Sequence, residues 1–184
     1  MKTSIFAVIL LLAITGILSF HTIEKRLSSK RIFHPEPTGS VYIIIDKSDY
    51  ELQVYDEEGW YASYPVVFGS KSQEDKLMAG DRKTPEGAFK ILTKKPHSKW
   101  HMMLLLDYPT KESWAKFNNR KAKGIIPKSA LIGGGIAIHG TWPNDNIVVD
   151  DYTNWTMGCI SLKNEDLDEL CEFLEPGVKV IIRK

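Results

Sequence analysis

Three short runs of β-branched and aromatic residues follow one another: Val41-Tyr42-Ile43-Ile44-Ile45, Tyr50 to Tyr55, and Trp60 to Phe68. Each is too short for a typical helix, and turn residues separate them, Asp46 to Asp49 and then Asp56-Glu57-Glu58-Gly59. Leu52 and Val54 fall on one face of an alternating segment, the period of a half-buried strand. The pattern predicts a β-meander, with Pro65 marking an edge or a bulge. A loop of polar, mobile character, Gly69 to Lys83, leads to further strand-like runs at Phe89 to Leu92, Met102 to Leu106 and Val178 to Ile182.

Only two segments read as helices. Thr110 to Lys123 carries Trp114 and Phe117 on one side, with Gly124 as its stop. Its basic residues Lys116, Arg120, Lys121 and Lys123 form a solvated face or, less simply, a surface for an anionic glycan or membrane. The second opens at Asn164-Glu165-Asp166, an N-cap candidate, and repeats Leu167, Leu170, Cys171 and Leu174 at helical spacing before Pro176-Gly177. That spacing gives Cys171 a core role. The expected fold is mainly β with small α content, a mixed sheet curled into a sandwich or barrel with one or two helices packed on it.

The N-terminus is of a different kind. Lys2 precedes an uncharged run of 16 residues, Ile5 to Phe20. A membrane-spanning helix needs ~20 residues, and a signal h-region is shorter than this run. Residues 1–23 are therefore expected to be an export signal or a membrane anchor, with the rest exported to the cell envelope. Residues 24–40, basic and then punctuated by Pro35, Pro37 and Gly39, read as a linker. Residues 41–184 remain as one domain.

Composition excludes several classes. A formal net charge of +1 over 184 residues gives no reason to expect nucleic acid as a partner. Two cysteines, Cys159 and Cys171, make neither a disulfide scaffold nor a Cys/His metal site. His97 and His101 have helical metal-binding spacing, but Ser98 stands where a zincin needs Glu, which leaves them as surface or groove histidines. Gly133-Gly134-Gly135 lacks the Lys-Ser/Thr ending of a phosphate loop.

The chemistry concentrates between Ile136 and Leu162. His139 closes one apolar run, Cys159 opens another, and an Asn/Asp-rich segment lies between. A thiolate with an imidazole beside it is sufficient for nucleophilic acyl transfer. Alternation puts Ile160 and Leu162 in the core and turns Cys159 and Ser161 away from it. Gly158 permits close approach of a substrate, and the N–H groups of Gly158 and Cys159 are expected oxyanion donors. Asp145, Asp150 and Asp151 stand as possible orienting carboxylates. Trp142, Tyr152 and Trp155 either wall the site or pack the loop on itself.

His139-Gly140-Thr141, then Thr156-Met157-Gly158-Cys159-Ile160 with 16 residues between His139 and Thr156, resembles the signature of the L,D-transpeptidases, the YkuD domain. Gly80-Asp81-Arg82-Lys83-Thr84-Pro85-Glu86-Gly87-Ala88-Phe89 is similar to the T-P-x-G-x-F stretch upstream of that signature. The resemblance spans about Val41 to Ile182. It implies Cys159 as nucleophile, His139 as base, and a ring oriented by the Gly140 carbonyl. Thr156, Met157, Gly158, Gly140 and Ser161 become the oxyanion and substrate-binding residues. Met157 stands where many members have a second histidine, and Ser161 where many have Arg or Asn.

The implied reaction takes a peptidoglycan stem peptide, needs no cofactor, transfers the acyl group to an amine, and is blocked by carbapenem-type β-lactams. Water as acceptor would make an L,D-carboxypeptidase. A non-catalytic peptidoglycan-binding module with a degenerate site is the alternative from another class. A sortase would want an arginine soon after the cysteine, and a papain-like enzyme has Cys before His. A monomer is expected.

Overall fold

The computed structural model describes residues 26–32 and 36–184. The Ile5–Phe20 run and the expected signal or anchor lie outside the described residues. Among the described residues no helix is long and apolar enough to cross a membrane.

The meander forms where alternation predicts it. β2 (Tyr42–Asp46), β3 (Glu51–Asp56) and β4 (Gly59–Pro65) pair antiparallel in succession. Ile43 lies opposite Val54 and Ile45 opposite Leu52, all fully buried, so one face of each strand supplies the core. β9 (Lys179–Arg183) then joins β2 in parallel, setting Val180 and Ile182 beside Ile43 and Ile45. Burying each such side chain contributes ~1.5–3 kcal/mol.

β5 (Gly87–His97) belongs to both halves of the sheet. Gly87 to Lys90 pair with β9, a register shift falls between Ile91 and Thr93, and the rest pairs with β6 (His101–Leu106). A bulge of this kind bends a strand and increases its twist. Two very short strands follow, β7 (Ala137–His139) and β8 (Ile160–Ser161), paired in parallel. With β1 (Ser29–Lys30) on the far edge, the described strands form one nine-stranded mixed sheet in the order β1-β4-β3-β2-β9-β5-β6-β7-β8. Val67, just beyond β4, bridges to Ser161 of β8 through two main-chain hydrogen bonds of 2.8 and 2.9 Å. The sheet thus curls back on itself, and the fold is mainly β as expected.

Among the described residues the helices are α1 (Lys111–Ala122), one turn α2 (Ile147–Asp150) and α3 (Asn164–Phe173). Thr110 caps α1 by accepting from Ser113 N at 3.2 Å. Phe117 is buried, whereas Trp114 is nearly half exposed. Lys116 and Arg120 both reach Asp75 of the preceding loop, so part of the basic face is docked rather than free. In α3, Leu167 and Leu170 are buried, as is Leu174 just beyond its end, and Cys171 is half-buried and free.

Two local readings change. Asn164 is the first helical residue and not the cap: its amide oxygen accepts from Thr141 N at 2.9 Å, which ties α3 to the segment after β7. The expected linker 24–40 is only partly a linker. Ser29 and Lys30 pair with Ser63 and Ala62 of β4, and Arg31 bonds Asp56 and Glu58 at 2.6 Å.

Candidate active site

β7 and β8 position the candidate pair: His139 ends β7 and Cys159 immediately precedes β8. The register sets Ile138 opposite Ile160 and His139 opposite Ser161. Cys159, one residue ahead of β8, therefore runs beside Ala137, whose N–H favours the ionised sulfur. The thiol in turn donates to Gly135 O at 3.5 Å. His139 and Cys159 face one cavity of about 370 Å³, together with Trp100, Gly135, Trp142, Trp155, Thr156 and Met157.

The tautomer of His139 follows from its partner. Nδ1 lies 2.7 Å from Gly140 O, and a carbonyl oxygen only accepts. Nδ1 therefore carries the proton and Nε2 is left as the basic nitrogen. None of Asp145, Asp150 or Asp151 takes this orienting role. Asp150 instead pairs with Lys163 at 2.7 Å.

The imidazole sits in an aromatic cage. Trp100 stacks on it with centroids 4.7 Å apart, and Trp155 meets it edge-on at 5.4 Å. His97 stacks on the other face of Trp100 at 4.4 Å. The His97–His101 spacing is thus that of a hairpin, in which the two residues face each other across β5 and β6. Trp100 also anchors the main chain, since its carbonyl accepts from Gly140 N at 3.0 Å. Trp142 packs on Trp155 at 4.0 Å. Tyr152, expected as part of the wall, leaves it and packs against Tyr50 and Arg26 instead.

Burial sets the charge state. It pushes the His139 imidazole down to about 4, against the opposing hydrogen bond to Gly140 and with a small further push from His97. Burial also raises the Cys159 thiol above its usual value, with the Ala137 N–H and Lys76 pulling the other way. At neutral pH the resting pair is thiol and neutral imidazole.

The turn before the nucleophile differs from expectation. Gly158 has φ +123°, a conformation that L side chains rarely adopt. Its N–H donates to Thr156 Oγ1 at 3.1 Å, so it is not a free oxyanion donor. The Thr156 hydroxyl donates to Cys159 O at 2.8 Å. Thr156 is therefore a clamp on the turn. The Cys159 N–H has no main-chain partner among the described residues and remains the available donor. Met157 is exposed at the cavity mouth. Ser161 is fully buried, not turned out, and donates to Gly140 O at 3.2 Å. Its hydroxyl is thereby spent on the same carbonyl that orients His139, and Ser161 does not line the cavity.

The upstream stretch braces this turn. Asp81 accepts from Lys76 Nζ at 2.7 Å and from the N–H groups of Leu77, Met78 and Lys83. Burial works against its charge, yet these bonds hold the carboxyl below its ordinary range. The loop Gly69 to Lys83 is accordingly tied down. Arg82 Nε then reaches Thr156 O at 3.3 Å. Gly69 completes the brace: a Cβ there would stand 2.4 Å from Arg82 O and 2.6 Å from Gly158 N.

Sequence reasoning missed Trp100 and Gly69. The one available signal was a tryptophan within the His97–His101 segment.

The model of the L,D-transpeptidase catalytic domain, YkuD, matches residues 40–182. The chain belongs to this family. No curated protein matches the sequence. Among solved structures it is similar to the helical cell shape determining protein Pgp2 from Campylobacter jejuni, with TM-score 0.58, 23% identity, and 88% of this chain and 52% of that one covered. It is also similar to an L,D-transpeptidase from Mycobacterium tuberculosis, with TM-score 0.52, 15% identity, and coverage of 79% and 58%. For the Enterococcus faecium L,D-transpeptidase the values are 0.50, 16%, 82% and 52%. The chain thus spans about half the length of these proteins. At such identities the likeness concerns the fold.

Proposed function

We propose that this domain acylates Cys159 with a peptidoglycan stem peptide and passes the acyl group to an amine. The carrying observation is that His139, its Nδ1–H committed to Gly140 O, faces the same aromatic cavity as Cys159. Sγ attacks the carbonyl of an L-to-D peptide bond, and its proton moves to His139 Nε2. The C–S bond forms, the C–N bond breaks, and the imidazolium returns the proton to the departing D-residue amine. An acceptor amine then attacks the thioester and releases the thiol. The Cys159 N–H is the assigned oxyanion donor. The apolar cavity walls favour an amine over water by limiting hydration of the thioester.

Export to the cell envelope and possible attachment to a membrane through residues 1–23 belong to the same proposal. So does a part in cell shape, given the fold shared with Pgp2.

The test is intact-protein mass spectrometry of the full chain with disaccharide-tetrapeptide, beside Cys159→Ala. An acyl adduct on the parent alone, discharged by added amine, is expected. The variant should lose acylation by at least about 10⁴-fold, as removal of a nucleophile does elsewhere. An adduct that decays to tripeptide without amine would instead make the enzyme a carboxypeptidase. No adduct on a reduced thiol would favour a binding module.

A further inference from the structure

The described chain begins with a charged side chain inserted into the domain. Arg26 donates from Nη2 to Tyr50 O at 2.7 Å, and from Nη1 to Val149 O at 3.2 Å and Val66 O at 3.4 Å. These carbonyls come from three places: the turn before β3, the end of β4, and α2. The guanidinium also lies 3.6 Å from the centroid of the Tyr152 ring. Its main chain is engaged as well. Arg26 N donates to Asp150 Oδ1 at 3.1 Å, and Arg26 O accepts from Lys163 Nζ at 2.6 Å.

This is more than a surface contact. Lys163 is 3% exposed, and its ammonium is satisfied by Asp150 and by the Arg26 carbonyl. Removing one of two acceptors from a buried ammonium is costly. Tyr50 and Tyr152 both hold positive φ, +56° and +52°, which costs energy for a bulky residue. Arg26 touches both, through the carbonyl of one and the ring of the other. A planar guanidinium can hold several carbonyls and stack on an aromatic ring at once, which a lysine cannot.

The segment that Arg26 grips runs into the cavity wall. Thr153 N bonds Val148 O at 2.8 Å. Asn154 bonds Tyr50 Oη at 2.8 Å and Phe68 N at 2.7 Å. Trp155 is next and packs on His139. Thr156 follows, bonded to Phe68 O, and clamps the Cys159 turn. We infer that Arg26 is a positioning residue: it pins the loop between His139 and Cys159, so that the arm of residues 26–31 forms part of the active-site scaffold. The inference deepens the acyl-transfer reading and rests on it for its consequence. Proteolytic trimming past Arg26 would then weaken the site even though residues 41–184 stay intact.

The experiment uses the full chain and two probes of Cys159 at 20 °C. Iodoacetamide reports access to the half-buried thiol, read by peptide mapping so that Cys171 is counted apart. Disaccharide-tetrapeptide reports productive acylation. In Arg26→Ala the loosened loop should raise alkylation of Cys159 by threefold or so and lower acylation by about tenfold, since small displacements cost rate heavily. Arg26→Lys keeps the charge and both main-chain bonds, and should move both rates the same way by less. A merely structural role would lower the unfolding midpoint and leave both rates unchanged at a temperature where the protein is folded. That result, in either variant, overturns the inference. If the tetrapeptide fails to acylate the parent, the acyl-transfer reading falls, while the alkylation arm still decides the role of Arg26.

Discussion

The half of the sheet built from β2, β3, β4 and β9 differs in kind from the half that carries β7 and β8. The first has registers of five or six pairs, shifted once between Val54 and Tyr55, and β3 alternates buried and half-exposed residues throughout. The second has strands of three and two residues, flanked by Gly133, Gly135 and Gly158 in left-handed conformations. Regular strands satisfy their own backbone groups. The short strands must be held from outside, by the Val67 bridge, the Asp81 loop and the Thr156 clamp. Both halves bury side chains completely, Ile43 and Leu52 in the first and Leu104 and Ile138 in the second, and they differ in how their backbones are held.

That contrast can be broken most forcefully in the regular half. Leu52→Ala removes a fully buried side chain opposite Ile45 and should cost ~3 kcal/mol in urea unfolding, a change of about 100-fold in the folding equilibrium. The acylation rate per folded molecule should stay at the parent value. A parallel loss of rate would mean that the two halves are not separable.

Trp100→Leu probes the irregular half. Losing the stack should slow acylation by about tenfold with little loss of stability, because the imidazole loses its aromatic support while the main-chain bond from Gly140 N to the residue 100 carbonyl stays. The pH profile sharpens the test. A lowered imidazole value means that His139 stays a neutral base down to about pH 4, so the parent's acid limb should lie near 4. Admitting water relieves the burial, and the limb of the variant should move up toward the ordinary 6.5. An unmoved limb would sink the cage as the cause of the low value.

Ser161→Ala should show the smallest effect. It deletes one of two donors on Gly140 O while leaving His139 Nδ1–H in place. About 1 kcal/mol of stability should go, with only a few-fold change in rate. A loss approaching that of Cys159→Ala would restore a direct role for Ser161.

Much of this was legible in residue order. Periodicity of two announced the meander, and helical spacing with Gly124 as a stop announced α1, because both signals arise within a few residues. His139 and Cys159 stood out by chemistry and by the motif around them. Trp100, Gly69 and Arg26 did not, since each acts on residues far along the chain. The full burial of Ser161 was not foreseen, because alternation reads one strand at a time and its partners Gly140 and Val67 come from distant segments.

The sequence by itself determined a mainly β domain of the L,D-transpeptidase family and singled out His139 and Cys159 as the candidate pair, because local alternation and motif spacing are written in consecutive residues. Only the tertiary structure decided which nitrogen of His139 is basic, that Gly158 N–H is already spent on Thr156, and that an arginine outside the matched domain grips the loop between the reactive residues. Those facts depend on partners brought together by sheet curvature and buried hydrogen bonds, which spacing along a chain does not encode.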